Sequence, residues 1–396
     1  MEEGRGKKKK IELTTKGERW VRSGHPWVFR DDIARMEEPE NGAVTPFFNL
    51  RGDFLGQGFY SRHSRIALRK ITSGETPVDE NFWGGILREA CGTRRAYLET
   101  RDQACRLVFS EADQVPGLIA DWYAGHLVLQ TLIPGTERLL ALFTELFREL
   151  LETKSIFLRN DGEARKLEKL PVETRILFGT IPGKVEIREG SIRYRIGLQT
   201  GQKTGAYLDQ QENRKRLALY GRPGFRALDC FCYIGGFALH QALAGAAVTA
   251  VDDSAGAVAE GRENAGLNGF PNLQFVKANV FDFLKEAEKR GERFDLITLD
   301  PPPFARKKSE VAGGQRGYLE LNRRALVLLN PGGVLATYSC SHHITEALFL
   351  DILKEAAQKS GRRVFLLERQ LQAPDHPILL TFPESYYLKG LVVRVE

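Results

Sequence analysis

The sequence predicts an α/β protein. A doubly wound sheet spans residues 191–396, preceded by a small β-rich module and a mixed α+β segment. Three observations carry this. From Arg226 onward, strand-like apolar runs alternate with helical stretches, the pattern of parallel strands with crossover helices. The segment Ala227-Leu-Asp-Cys-Phe-Cys-Tyr-Ile-Gly-Gly-Phe237 joins the first run to a helix through paired glycines. Two later runs end in reactive side chains, Asp300-Pro-Pro-Pro-Phe304 and Tyr338-Ser-Cys-Ser341. Open α/β sheets bind ligands at the carboxyl ends of their strands.

The chain has 396 residues, a length that suits two or three domains. A hydrophobic share of 42% supports real cores, and 27% charge is ordinary. No run approaches the ~20 apolar residues of a membrane span. Residues 1–10 are polar and basic, unlike a secretory signal. Five cysteines at 91, 105, 230, 232 and 340 form neither a disulfide framework nor a zinc pattern. The expectation is a cytoplasmic protein without a metal. Net charge is +6, and residues 1–70 hold 15 Lys/Arg against 10 Asp/Glu, a surplus of five. A basic N-terminal module on a near-neutral body suits a polyanion, although the run Lys7 to Lys10 also reads as a solvated tail.

The elements follow in order. Residues 11–72 carry short apolar runs separated by Gly, Pro, Asn and Asp, the spacing of a compact barrel or sandwich. Residues 73–80 have linker chemistry. Over 73–190 the pattern predicts a helix at 82–100, strands at 106–109 and 118–120 around a Pro116-Gly117 turn, a strand at 127–132, a helix at 137–151 and strands at 155–158 and 184–187. Over 191–396 it predicts strands at 226–228, 247–251, 273–276, 294–299 and 334–338. The expected domains are 1–72, 73–190 and 191–396.

The first strand-to-helix turn lacks G-x-G-x-x-G spacing, so it is no dinucleotide fingerprint. Gly235 and Gly236 allow close backbone approach and open a helix N-terminus. Asp252 and Asp253 end the next strand, where a carboxylate suits a ribose diol; Asp252 also reads as a helix N-cap. A glycine turn plus that carboxylate, without phosphate-cradling glycines, fits an adenosine bearing no phosphate, and S-adenosylmethionine is such a ligand.

In Asp300-Pro301-Pro302-Pro303-Phe304 the prolines preshape an acidic turn. Asp300 can bond a base edge, and Phe304 can stack on a base or wall the pocket. Arg306, Lys307 and Lys308 suit phosphates or a solvated loop. Cys340 ends its strand in the same crevice. A free cysteine is commonly a small buried hydrophobe, but beside Asp300 a thiolate can attack an electron-poor ring. Cys230 and Cys232 read as structural, and His342 and His343 as bystanders.

With these residues in view, the chain resembles the ribosomal RNA large subunit methyltransferase I family of bacteria. The resemblance is carried by His25-Pro-Trp27-Val-Phe29, Glu111 to Asp121, Gly201 to Arg214, Tyr233-Ile-Gly-Gly-Phe237, Ser339-Cys340-Ser341, Asp375-His-Pro377 and Tyr387-Leu-Lys-Gly390. It implies a PUA-like RNA-binding barrel, a connecting domain and a Rossmann-like class I methyltransferase domain. It implies S-adenosylmethionine held by Lys203, Thr204, Gly205, Asp229, Phe231, Tyr233, Gly235, Gly236, Asp252, Asp253, Asn279 and Asp300. It implies 23S ribosomal RNA as partner, met by His25, Trp27, Pro301, Pro302, Phe304, Arg306, Lys307 and Lys308, and it allows a homodimer. The chain departs from the family at Pro303, where Lys is usual, at Ile234, where Thr is usual, and at Asn279, where an Asp often meets the adenine edge.

The resulting expectation is an enzyme forming 5-methylcytosine in 23S ribosomal RNA, with Cys340 as nucleophile and Asp300 holding or protonating the ring. Methylation of a base nitrogen through the Asp300 turn and a non-catalytic RNA-binding assembly factor stay open as alternatives.

Overall fold

The computed structural model describes residues 10–98, 103–201 and 204–396. Lys7, Lys8 and Lys9 of the basic tail, Thr100 at the end of the first expected helix, and Lys203 lie outside the described residues. The chain forms two compact units. One comprises Met1–Ile187, Gly197–Leu208 and Pro374–Ser385, the other Arg188–Ile196, Asp209–Ala373 and Tyr386–Glu396.

The first unit holds two sheets. A six-stranded sheet runs in the order Trp27–Phe29, Ile66–Thr72, Phe54–Tyr60, Val44–Phe48, Ile11–Leu13, Ile33–Met36. Its core gathers Ile11, Leu13, Val28, Phe47, Tyr60 and Leu68. A five-stranded sheet runs Glu173–Gly179, Ser155–Asn160, His126–Thr131, Leu118–Tyr123, Ala104–Phe109. Leu118–Tyr123 turns into His126–Thr131 through Ala124 and Gly125, both at positive φ, the backbone of a tight hairpin.

Two helices differ from expectation. The helix expected at 82–100 is Glu80–Thr93, capped by the Asp79 carboxylate, followed by a short turn at Arg95–Leu98. It breaks at Arg94, whose buried guanidinium binds both carboxylate oxygens of Asp113 at 2.8 and 2.6 Å. The helix expected at 137–151 is split into Pro134–Arg138 and Leu140–Leu150, with Leu139 between them. Pro134 starts the first piece, where its missing N–H costs nothing.

The second unit is a seven-stranded sheet. Its strands are β1 (Arg226–Cys230), β2 (Ala247–Asp252), β3 (Leu273–Lys277), β4 (Phe294–Leu299), β5 (Leu329–Ser339), β6 (Val364–Gln370) and β7 (Lys389–Val395). Its helices are α1 (Gln211–Ala218), α2 (Gly236–Leu243), α3 (Ala255–Asn268), α4 (Val280–Lys289), α5 (Val311–Leu328) and α6 (Glu346–Ser360). The order is β3-β2-β1-β4-β5-β7-β6. β3 through β5 are parallel, and β7 lies antiparallel between β5 and β6. All five expected strands are present. β6 and β7 were not foreseen, because both follow the last obvious strand–helix alternation. Leu228, Ile297, Leu299, Leu326, Leu335 and Phe349 are buried in one core, as expected for strands covered on both faces. The strand order reverses between β1 and β4, the switch point at which such sheets open a crevice.

One buried ion pair fastens α1 and α2. Glu189 receives Arg214 through Nε at 2.9 Å and Nη2 at 2.5 Å, and His240 Nε2 lies 2.9 Å from it. Burial pushes the Glu189 carboxyl up, but the Arg214 charge and the bonds from His240 and Arg214 outweigh it and hold it at about 2. A depressed carboxyl stabilises the fold above its unfolded pKa and loses that contribution as pH falls through its folded value. Wild-type stability is therefore predicted to drop between about pH 4.5 and about 2 through this group. Glu189→Gln should lose about 3–5 kcal/mol at neutral pH, because the buried Arg214 loses the carboxylate charge it faces, and that part of the acid dependence should vanish in denaturant unfolding across pH.

Candidate active site

The site grows from the ends of β1, β2, β4 and β5. After β1 the chain turns through Phe231 (φ 61°), Tyr233 (φ 49°) and Gly235 (φ 88°) before entering α2. Three left-handed residues in five make this a strained turn, and strain of this kind gathers at ligand sites. Gly235 has a second reason: a Cβ there would lie 2.6 Å from the Phe275 ring. At Gly236 a Cβ would meet Arg214 Cδ at 2.9 Å. The glycine pair thus serves packing as well as backbone approach.

Asp229 and Asp252 hold this turn from two sides. Asp229 is fully buried, and its Oδ2 accepts the Ala238 N–H at 2.9 Å in the first turn of α2. Burial pushes its carboxyl well up, and the nearby Asp300 and Asp252 charges add to that. Its Oδ1 is buried with no partner among the described residues. Asp252 Oδ2 accepts the Tyr233 N–H and Oδ1 the Ser254 N–H, both at 2.9 Å. The helix N-cap is Ser254, whose hydroxyl accepts from Ala257, so Asp252 is not the cap. Asp253 is exposed. Asn279 caps α4 instead, with Oδ1 accepting from Phe281 and Asp282 at 3.0 and 3.3 Å. Two N–H donors on one amide atom identify it as the oxygen, so the Nδ2 side faces away as a donor.

The second part of the site lies where β4 and β5 end. Asp300 is half-buried, and its N–H reaches the Cys230 carbonyl at 3.4 Å, adjoining the β1 turn. Pro301 is buried and Pro302 exposed. Phe304 is half-buried against Tyr318 of α5, with ring centroids 4.8 Å apart, and therefore forms a wall. Arg306, Lys307 and Lys308 are exposed. Cys340 Sγ lies 3.9 Å from the Pro301 carbonyl. It is the one half-exposed cysteine; Cys91, Cys105, Cys230 and Cys232 are buried, and burial pushes those four thiols up. Ser341 ties the two strand ends together. Its Oγ accepts the Ala305 N–H at 3.3 Å and shares a 3.0 Å hydrogen bond with the Tyr318 hydroxyl. That hydroxyl also accepts from Ser339 Oγ at 3.0 Å. Burial holds the Tyr318 phenol up at about 12, so it stays a neutral donor. No group of three or more His, Cys, Asp or Glu that could hold a metal occurs among the described residues.

Other expected residues belong to the first unit. Thr204 and Gly205 are among them, and the buried Thr204 hydroxyl binds Asp121 and meets the Tyr123 hydroxyl at 2.9 Å. His25 is buried there, with Nε2 3.1 Å from Glu384 and Nδ1 accepting the Trp27 N–H. The Trp27 indole N–H donates to Glu111 at 2.7 Å. Trp27 is half-buried, and the His25 and Trp27 rings both pack against Phe382. Sequence reasoning missed Tyr318 and Lys389, since a tyrosine within a helix and a lysine in a short C-terminal motif carry no distinguishing pattern.

The comparisons with known proteins agree with this geometry. Residues 11–73 match a PUA-like domain and residues 108–393 an S-adenosylmethionine-dependent methyltransferase. The fold and site thus define an S-adenosylmethionine-dependent methyltransferase carrying a PUA-like domain. "Ribosomal RNA large subunit methyltransferase I" of Aeromonas hydrophila is 40% identical over 380 residues, covering 94% of this chain and 96% of that protein. The protein of the same name from Photobacterium profundum is 39% identical over 98% and 99%. A chain described as a SAM-dependent methyltransferase from Streptococcus mutans superposes with a TM-score of 0.84 at 21% identity, covering 97% and 99%. A methyltransferase solved with SAH gives 0.84 at 22%. The protein belongs to the ribosomal RNA large subunit methyltransferase I family.

Its cofactor is S-adenosylmethionine, and the residues present fit it. The unpaired buried Asp229 oxygen suits a ligand bringing an ammonium group, and the strained turn at Phe231 and Tyr233 beside it is of the kind found at ligand sites. Tyr318→Phe removes the hydroxyl shared by Ser339 and Ser341. It should cost about 1–3 kcal/mol in denaturant unfolding and lower methyl transfer, while calorimetric S-adenosylmethionine affinity stays unchanged. Unaltered stability and turnover would contradict this account of the β5 turn.

Proposed function

We propose that the protein methylates carbon 5 of a cytosine in 23S ribosomal RNA through a covalent adduct with Cys340. The observation that carries this reading is the Ser341 junction. It holds the only half-exposed cysteine against the Asp300 turn, within 3.9 Å of the Pro301 carbonyl. The names of the curated relatives support an RNA of the large ribosomal subunit as substrate.

The Cys340 thiolate would form a sulfur–carbon bond to C6 of the cytosine, moving the ring electron pair onto C5. Asp300 would hold or protonate N3 and so stabilise the charge that develops. S-adenosylmethionine, when bound, would supply the methyl group that C5 takes up, its sulfonium sulfur keeping the electron pair of the bond that breaks. Loss of the C5 proton then returns the electron pair, breaks the C6–sulfur bond and releases the thiolate. Phe304 would wall the flipped base, whose extrusion costs a few kcal/mol in a helix. Exposed Arg306, Lys307 and Lys308 would meet the RNA backbone beside it.

Asp229, Asp252 and the Phe231–Gly235 turn would hold the cofactor, with the Asn279 Nδ2 donor turned to its base edge. The basic module at residues 1–72 would grip RNA, and residues 73–190 would connect it to the catalytic domain. A ribosomal substrate implies action in the cytoplasm.

The test combines purified protein, methyl-labelled S-adenosylmethionine and unmodified 23S ribosomal RNA, followed by nucleoside analysis. Label in 5-methylcytosine, reduced at least about 10³-fold in Cys340→Ala, is expected for loss of a nucleophile. Label in a methylated purine, or turnover that survives the substitution, would overturn the covalent cytosine reading.

A further inference from the structure

β7 brings a lysine into the catalytic turn. Lys389 is the register partner of Ser339 on β5. It is only 3% exposed, and its Nζ donates to the Ser341 carbonyl at 2.8 Å. Its side chain therefore runs from one flank of Cys340 to the other. No carboxylate pairs with this ammonium among the described residues. A buried cation without a counter-ion is costly, and the site favours either a neutral amine or a nearby anion. Asp300 from the β4 end, Tyr318 from α5, and His342 and His343 in the loop that follows are further titratable groups around Cys340. Tyr318 stays neutral, and Asp300 opposes a second negative charge. Lys389 is a buried cation placed to offset it.

We propose that Lys389 is a positioning residue that stabilises the Cys340 thiolate, its ammonium supplying a counter-charge while its bond to the Ser341 carbonyl fixes the turn. The thiol proton leaves to solvent, and Lys389 keeps its own. Burial lowers the Lys389 ammonium to about 8, and the Cys340 charge raises it against that trend. The inference rests on the covalent reading above, in which the thiolate is the attacking species.

The test is the pH dependence of Cys340 alkylation by iodoacetamide, followed by mass spectrometry in the full-length protein. Cys340→Ser identifies the signal, and the other four cysteines are buried. Wild type should alkylate with a midpoint below the ordinary thiol value of about 8.5. Lys389→Met should shift the profile upward by about one pH unit, roughly tenfold less thiolate at neutral pH. Lys389→Arg, which keeps the charge, should restore most of it. Calorimetric S-adenosylmethionine binding checks that each variant is folded. A wild-type midpoint at or above about 8.5, which needs no variant, overturns the proposal. So does a folded Lys389→Met with an unmoved profile. Neither result depends on methyl transfer, so failure of the nucleophile reading shows separately, as turnover by Cys340→Ala.

Discussion

The Ser341 hydroxyl is the constraint on which the site depends. β4 and β5 are neighbours in the sheet, but parallel pairing stops at Leu299 and Thr337. Beyond that the two chain ends would be free to diverge. Ser341 prevents this by accepting from Ala305 in one loop while bonding Tyr318, which also holds Ser339. Three buried hydroxyls form a closed set, and a satisfied buried network specifies one geometry. Cys340, between the two serines, inherits its position from them.

The two halves of the crevice differ in charge. Around the β1 turn lie Asp229 and Asp252, whose carboxylates organise backbone N–H groups of Ala238, Tyr233 and Ser254. Around the β5 turn lies the buried Lys389 ammonium. Asp300 stands between, its N–H on the Cys230 carbonyl. Under the proposed mechanism a positively charged donor would meet acidic groups on one side, and an anionic nucleophile would meet a cation on the other. That separation lets one pocket hold two reactants of opposite character without mutual neutralisation.

Much of this was legible in the chain. The buried parallel strands announce themselves as apolar runs bounded by polar turns, so Asp300 and Cys340 could be set at strand ends. Apolar periodicity could not reveal that β7 inserts antiparallel beside β5, because a C-terminal strand reads alike at an edge or in the middle of a sheet. Lys389 was therefore invisible as a site residue. Asp252 was ambiguous between cap and ligand holder, since Asp and Ser cap equally well; Ser254 proved to be the cap. The bonds of Thr204 were hidden for another reason: its partners, Asp121 and Tyr123, lie some 80 residues away in sequence, and no local pattern encodes such a bond.

The most direct test of the central claim uses 23S ribosomal RNA transcribed with 5-fluorocytidine and incubated with protein and S-adenosylmethionine. Fluorine cannot leave C5 as a proton does, so the C6–sulfur bond cannot break once C5 is methylated. The account predicts a protein–RNA complex that survives denaturing electrophoresis, with the cross-linked nucleotide on Cys340 by peptide mass spectrometry, and none with Cys340→Ser. Methyl transfer to ordinary RNA with no trapped complex, or a complex on another residue, would contradict it.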